Sequence, residues 1–260
     1  MEFHTVQLAC DSSIAKLTFN RPDKRNALSL PMLDEIVAAL DEIERSDSLV
    51  VIFTGAGKAF CAGMDLEELK SLVGKSHENN IEDSRRMARF FRRLYDFPRP
   101  TIAAVNGAAI AGGTGIATMC DFTLAVPESK FGYTEVRIGF VPALVSSILV
   151  WQVGHKIARD LLLTGRLFGA AEAHRYGLVN EIVPQEQLME RAHELASQLM
   201  ANSPSSVRRT KKLVNGFIAD VLDRQVAQAI EDNAAIRGTA DFREGIASFL
   251  EKRKPQWSGK

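Results

Sequence analysis

Cysteine is scarce in this chain. Its three residues, Cys10, Cys61 and Cys120, are far apart, odd in number and free of any CxxC spacing. That excludes a disulfide-stapled scaffold and a cysteine-based zinc site, and it fits a reducing, cytoplasmic location. Histidine is nearly as sparse, and His4, His77, His155, His174 and His193 show no metal-ligand spacing, so no metal is expected. An excess of charge is missing too: Lys plus Arg and Asp plus Glu each total 32. A formal net charge of zero removes the general electrostatic reason to bind nucleic acid or an anionic membrane. The start, "MEFHTVQLACDSS", has neither a basic nor an apolar stretch of secretory type, so no leader is expected. One long uncharged run exists, Thr101 to Cys120. A bilayer needs roughly twenty such residues, but four glycines, Asn106 and the preceding Pro100 argue against a continuous helix, so no membrane span is expected.

What is present is enough hydrophobic material, 46% of 260 residues, to fill one large core. Ile14 to Phe19 alternates like a half-buried strand and is followed by the turn-like "NRPDKRN". Ser29 and Pro31 then mark a helix start, and Leu33, Ile36, Val37, Leu40 and Ile43 keep a helical period. "LVVIFTGAG", "TIAAV" and "FTLAV" read as buried strands, and "LVNEIV", Leu178 to Val183, as the last one. "EDSRRMARFFRRLYDFP" is an amphipathic helix whose arginines, Arg85, Arg86, Arg89, Arg92 and Arg93, read as a solvated face in preference to a polyanion site. After about residue 195 only helix-like segments remain. The expected division is an α/β core, 1–195, and a helical C-terminal segment, 196–260, with an oligomer expected because such terminal helices pack on neighbours as well as on their own core.

The stretch "PTIAAVNGAAIAGGTGIATMCD", Pro100 to Asp121, carries the chemistry-bearing pattern. Gly107 and Gly112 have P-loop spacing, but Gly113 and Thr114 stand where Lys and Ser/Thr would touch phosphate and magnesium. Gly113 and Gly115 give GxG, but Thr118 replaces the third glycine of a dinucleotide fingerprint. Two readings stay open: a glycine turn whose free N–H groups and following helix stabilise an oxyanion, or close packing of a helix on a strand.

A resemblance narrows the choice. "FNRPDKRNAL", "GKAFCAGMDLEEL", "RPTIAAVNGAAIAGG", "SKFGYTEVRIGFVP", "LLLTGRLFGAAEAHRYGLVNEIV" and "FLEKRKPQW" occur in the order and spacing of the enoyl-CoA hydratase/isomerase, or crotonase, family. The likeness runs from about Ile14 to Trp257. It implies an α/β fold, a spiral of ββα units with a C-terminal helical trimerisation region, acting as a trimer or a dimer of trimers. It also implies an acyl-CoA thioester as substrate, with no cofactor beyond the CoA that the substrate carries.

Carried over residue by residue, the resemblance makes the amides of Met64 and Gly112 the oxyanion donors and Glu135 the general acid/base. Lys24, Arg25, Ala27, Ala62, Asp65 and Leu66 fall at positions that approach CoA, and "EKRK", Glu251 to Lys254, resembles another such segment. Asp65 also reads as a helix cap, Cys61 as an inert buried thiol, and Tyr133 and Pro142 as candidate acyl-pocket residues. Hydratases of this family use a second glutamate, and this chain has Gly115 at that position. That departure counts against standard hydratase chemistry and favours isomerisation, which needs one proton carrier. Hydration stays the leading expectation, followed by isomerisation of a β,γ double bond with Glu135 as single proton shuttle, and then a non-catalytic CoA-binding scaffold. "GGTGIA" with "EVRIGFVPALVSS" resembles a branch described as hydratases of branched or glutaconyl-type acyl-CoAs, including methylglutaconyl-CoA.

Overall fold

The computed structural model describes residues 2–11 and 13–260. Strands β1 (Val6–Asp11) and β2 (Ile14–Phe19) form an antiparallel hairpin. Helix α1 (Leu30–Arg45) follows, with the Ser29 hydroxyl accepting from the Met32 amide at 3.4 Å and Leu33, Ile36, Leu40 and Ile43 on its buried face. This start and this face match the sequence reading.

From there one unit recurs. A strand enters a large sheet, a second short strand enters a smaller sheet, and helix follows. The first unit is β3 (Val50–Gly55), β4 (Ala59–Cys61), α2 (Leu66–Leu72) and α3 (His77–Tyr95). The second is β5 (Thr101–Val105), β6 (Ala108–Ile110) and α4 (Gly112–Met119). The third is β7 (Phe122–Ala125), β8 (Lys130–Gly132), a 3-10 turn Glu135–Ile138, and α5 (Ala143–Thr164). β9 (Phe168–Gly169), α6 (Ala170–Arg175), β10 (Glu181–Ile182) and α7 (Leu188–Met200) complete the α/β part. The large sheet has order β1-β2-β3-β5-β7-β10 and the small one β4-β6-β8-β9. This is the ββα spiral that the resemblance implies.

Both faces of the large sheet are covered, which explains the unbroken apolar runs of β3, β5 and β7. Val51, Phe53, Ala103, Val105 and Ala125 point into the main core, while Val50, Ile52, Ile102, Ala104 and Leu124 pack under Leu188, Ala192 and Ala196 of α7.

Several elements differ from the sequence reading. α3 begins at His77, capped by Ser76, five residues before "EDSRR", because a polar first turn hides the period. The strand expected over Leu178–Val183 shrinks to Glu181–Ile182, pairing only with β7. The three-residue strands of the small sheet are too short to show a period. The division expected at 195 falls inside α7, whose burial against β3 and β5 makes it part of the α/β body. The break in the chain path lies at Ser203, which caps α8 (Pro204–Gly216). α9 (Ala219–Ile236) packs on α3 and α5, and α10 (Ala240–Leu250) on α2 and the Glu135 turn, so these helices complete the chain's own core. Among the described residues no helix is long and apolar enough to cross a membrane.

Candidate active site

The loop 22–27 is held by a residue the sequence reading passed over. Asn26 is fully buried; its Nδ2 donates to the carbonyls of Ala56 (2.9 Å) and Ala59 (2.8 Å), and its Oδ1 accepts from the Arg21 amide at 2.8 Å. Arg25 and Asn26 adopt positive φ, 51° and 55°, a conformation those hydrogen bonds sustain. Arg21 in turn donates Nη2 to Asp65 Oδ2 at 2.7 Å, and the Ala62 amide donates to the Arg25 carbonyl at 3.0 Å. Loop and strand end thus form one rigid rim.

The 61–65 segment presents a free amide for a geometrical reason. In its parallel bridge with Leu28, the Leu28 amide donates to Gly63 O (2.7 Å) and the Asp65 amide to Leu28 O (2.9 Å). Residue 64 lies between those two contacts, so its own N–H points to the opposite side, and Met64 lines a cavity. Gly63 has φ 87°, and a Cβ there would stand 3.0 Å from the Ile110 carbonyl oxygen. A Cβ on Gly113 would come within 2.3 Å of the Cys61 carbonyl oxygen. Glycine at both positions lets the two backbones touch, and Met64 and Gly112 both line the same cavity.

Gly112 is the first residue of α4, where an amide has no intrahelical acceptor. Ala111 before it has φ 49° and ψ −119°, unusual for a residue with a side chain, and its amide is fixed to Gly132 O at 2.7 Å. This strained residue, invisible in the sequence, aims the helix start. Gly113 thus serves close packing, and Gly112 leaves a donor at a helix N-terminus.

The cavity has a volume of about 810 Å³, and Lys24, Arg25, Ala27, Ala62, Met64, Asp65, Leu66, Gly112, Glu135 and Pro142 all line it. Glu135 opens the 3-10 turn after β8. Its Oε2 is buried with no hydrogen-bond partner among the described residues, although the residue as a whole keeps some exposure. Burial pushes its carboxyl up to about 7, only weakly opposed by its own backbone amide. Asp65 behaves in the opposite way. Burial alone would raise its carboxyl, but the Glu67 amide (3.0 Å) and the Arg21 guanidinium hold it below the ordinary range. It caps α2 and braces the rim, as a pinned anion does.

Other expected residues lie elsewhere. Tyr133 is not in the cavity wall: it is fully buried, its hydroxyl 3.1 Å from Thr118 Oγ1, because β8 turns it inward. Cys61 is buried with its thiol pushed up to about 12 by desolvation, which makes it inert. "EKRK" stays outside the cavity wall, with Arg253 paired to Glu244 and Glu251. Gly115 does not line the cavity either. A Cβ there would meet Val145 Cγ1 at 2.6 Å and Phe91 Cε1 at 3.1 Å, so hydrocarbon occupies the space a side chain at 115 would need. Phe91 and Val145 themselves face the cavity, as do Asn233 and Arg237 of the C-terminal helices, and no sequence signal singled out these four.

The model of the family described as enoyl-CoA hydratase/isomerase matches residues 9–260. The chain belongs to the enoyl-CoA hydratase/isomerase family. A protein of Thermus thermophilus, provisionally named an enoyl-CoA hydratase, is 45% identical over 245 residues, covering 94% of this chain and 97% of the relative. The short-chain-enoyl-CoA hydratase of Clostridium acetobutylicum is 36% identical over 261 residues, covering 98% and 97%. The crystal structure of an enoyl-CoA hydratase/isomerase from Xanthobacter autotrophicus superimposes with a TM-score of 0.88 at 31% identity, covering 97% of this chain and 98% of that one. The fold is that of crotonases, the family is one of enzymes, and the hydratase names agree with a lyase.

An arrangement of this kind suits chemistry at a thioester. Two preorganised amides favour negative charge on an oxygen, and a carboxyl poised near neutrality exchanges protons in either direction at ordinary pH.

Proposed function

We propose that this chain hydrates the double bond of an enoyl-CoA thioester. The thioester oxygen accepts from the amides of Met64 and Gly112. Glu135, ionised, takes a proton from water as the water oxygen bonds to the β-carbon, and the π electrons move onto the thioester oxygen as an enolate. The enolate then collapses and Glu135 returns the proton to the α-carbon, so one water is added and the enzyme is regenerated. The observation that carries the reading is the buried Glu135 carboxyl, partnerless among the described residues, in the same cavity as both free amides. Lys24 and Arg25 at the rim suit the CoA phosphates, with Ala27, Ala62, Asp65 and Leu66 forming the wall beside them. No cofactor beyond the substrate's CoA enters the reaction.

Isomerisation is the second reading. With Val145 and Phe91 filling the space beside Gly115, one carboxylate remains to move protons, and a shift of a β,γ double bond to α,β needs only one. The deciding experiment incubates the protein with crotonyl-CoA and with a β,γ-enoyl-CoA and follows products. Hydration of crotonyl-CoA that falls by about 10²–10⁴ in Glu135→Gln supports the first reading. Conversion of the β,γ substrate alone supports the second, and CoA binding without turnover leaves a scaffold.

Assembly as a homotrimer or a dimer of trimers belongs to the same proposal, supported by Leu213, Val214 and Phe217, all exposed on or beside α8. So does a cytoplasmic setting, supported by the unpaired thiols of Cys61 and Cys120.

A further inference from the structure

Thr114, fully buried, is the third residue of α4. Its neighbours in that first turn, Gly112, Gly113 and Gly115, have no side chains, and no side chain caps the helix start. Thr114 is thus the one side chain in the turn that can hold it in place. Its Oγ1 lies 2.6 Å from the Ala109 carbonyl oxygen in β6, and 3.1 Å from both the carbonyl oxygen and the amide nitrogen of Gly132 in β8. A hydroxyl has one proton and two lone pairs. The proton goes to the closer acceptor, Ala109 O, and a lone pair accepts from the Gly132 amide. One hydroxyl therefore joins the start of α4 to both strands beside it.

Those two strands deliver the two halves of the site. β6 ends at Ile110, just before Gly112, and β8 ends at Gly132, just before the turn that Glu135 opens. The Ala111 amide reaches Gly132 O as well, at 2.7 Å. One helical turn along, Thr118 Oγ1 donates to Thr114 O at 2.9 Å and lies 3.1 Å from the Tyr133 hydroxyl, which is left as the donor of that pair. Residues four apart share a helix face, so α4 grips consecutive residues, Gly132 and Tyr133, of the segment that leads to Glu135. Thr114 itself does not line the cavity. A displacement of about 1 Å between reacting groups can cost about 10² in rate, so a tie of this kind bears on chemistry as well as on stability.

We propose that Thr114 is a positioning residue: its hydroxyl fixes the first turn of α4 against β8 and so sets the spacing between the Gly112 amide and the Glu135 carboxyl. It touches no reacting atom. This rests on the reading of the cavity as an enoyl-CoA site in which those two groups act.

Initial rates of wild type, Thr114→Val, Thr114→Ser and Thr123→Val test it, with whichever of crotonyl-CoA and a β,γ-enoyl-CoA the wild type converts. Thr123 is the matched control, a buried threonine whose Oγ1 donates to Ala117 O at 2.8 Å and so ties α4 to β7 instead. Thr114→Val keeps the shape and loses the hydroxyl; kcat is expected to fall about tenfold or more while KM stays within about threefold. Thr114→Ser, which restores the hydroxyl, is expected to return kcat to within about threefold of wild type. Thr123→Val is expected to melt lower, as Thr114→Val does, and to keep its kcat. If Thr114→Val does not fold, Thr114→Ala carries the same expectation. An active wild type with kcat unchanged in Thr114→Val overturns the positioning role alone. So does a serine variant no faster than the valine one, or an equal loss of kcat in Thr123→Val, which leaves Thr114 a structural threonine. A wild type that converts neither thioester removes the proposed reaction, and this role with it.

Discussion

Glu135 is a carboxyl in conflict with its surroundings, and the conflict has two measurable consequences. Its folded-state value of about 7 lies above the 4.5 expected of the unfolded chain. A base that must be ionised gives a kcat/KM that rises with pH and levels above about 7, measurable as a pH–rate profile. The same raised value affects stability in the opposite direction. The group's stabilising contribution is fully present below pH 4.5 and is lost as pH rises through 7, because the folded state binds the extra proton. Glu135→Gln, which carries no charge, is therefore expected to gain stability relative to wild type between pH 5 and 8, by on the order of 2 kcal/mol. Denaturant melts at both pH values check this, and a constant difference would contradict it. Gly115 is the second residue-scale case. Gly115→Glu forces a side chain into Val145 Cγ1 and Phe91, and overpacking costs about 1–3 kcal/mol. The variant is expected to melt lower and hydrate no faster, whereas adding Val145→Ala recovers part of the loss. Additive effects of the two substitutions in a thermal-melt cycle would rule out that direct clash.

Helix α2 shows how an element positions chemistry without performing it. Asp65 accepts the Glu67 amide at its start and holds Arg21, whose Nη1 also donates to the Ala27 carbonyl, so one carboxylate ties a helix to the rim next to Met64. Asp65→Ala is expected to cost about 1–2 kcal/mol and to lower kcat, because the neighbouring Met64 amide loses its anchor. Asp65→Asn keeps the cap, loses the ion pair and is expected to fall between. Urea melts paired with initial rates check both. The same scale shows what local pattern reveals. Ser29 and Pro31 announce α1 at the residue where it begins, since capping is a local hydrogen bond. The strands β4, β6 and β8 have three residues each and no period of their own; they exist because the longer strands before them deliver the chain to a second sheet.

At the scale of the whole molecule, the proposed assembly rests on α8 and the residue after it. Leu213 and Phe217 are 61% and 73% exposed, and with Val214 they place three large apolar side chains uncovered within five residues. In a trimer this surface is the expected contact, and Phe217→Asp is expected to shift the protein to monomer in sedimentation at micromolar concentration. A wild type already monomeric there would end the trimer proposal. The sequence by itself determined strands β2, β3, β5 and β7, helix α1 and, through motifs in a fixed order, the family, because those depend on local propensity and on spacing along the chain; it also singled out Met64, Gly112 and Glu135, which the structure brings to one cavity. Tertiary structure alone decided that Ala111 is strained, that Val145 and Phe91 occupy the place beside Gly115, that Tyr133 belongs to the core, and that Arg237 reaches the cavity from the far end of the chain. Each is a property of who packs against whom, and partners brought together from different elements leave no mark in a local pattern.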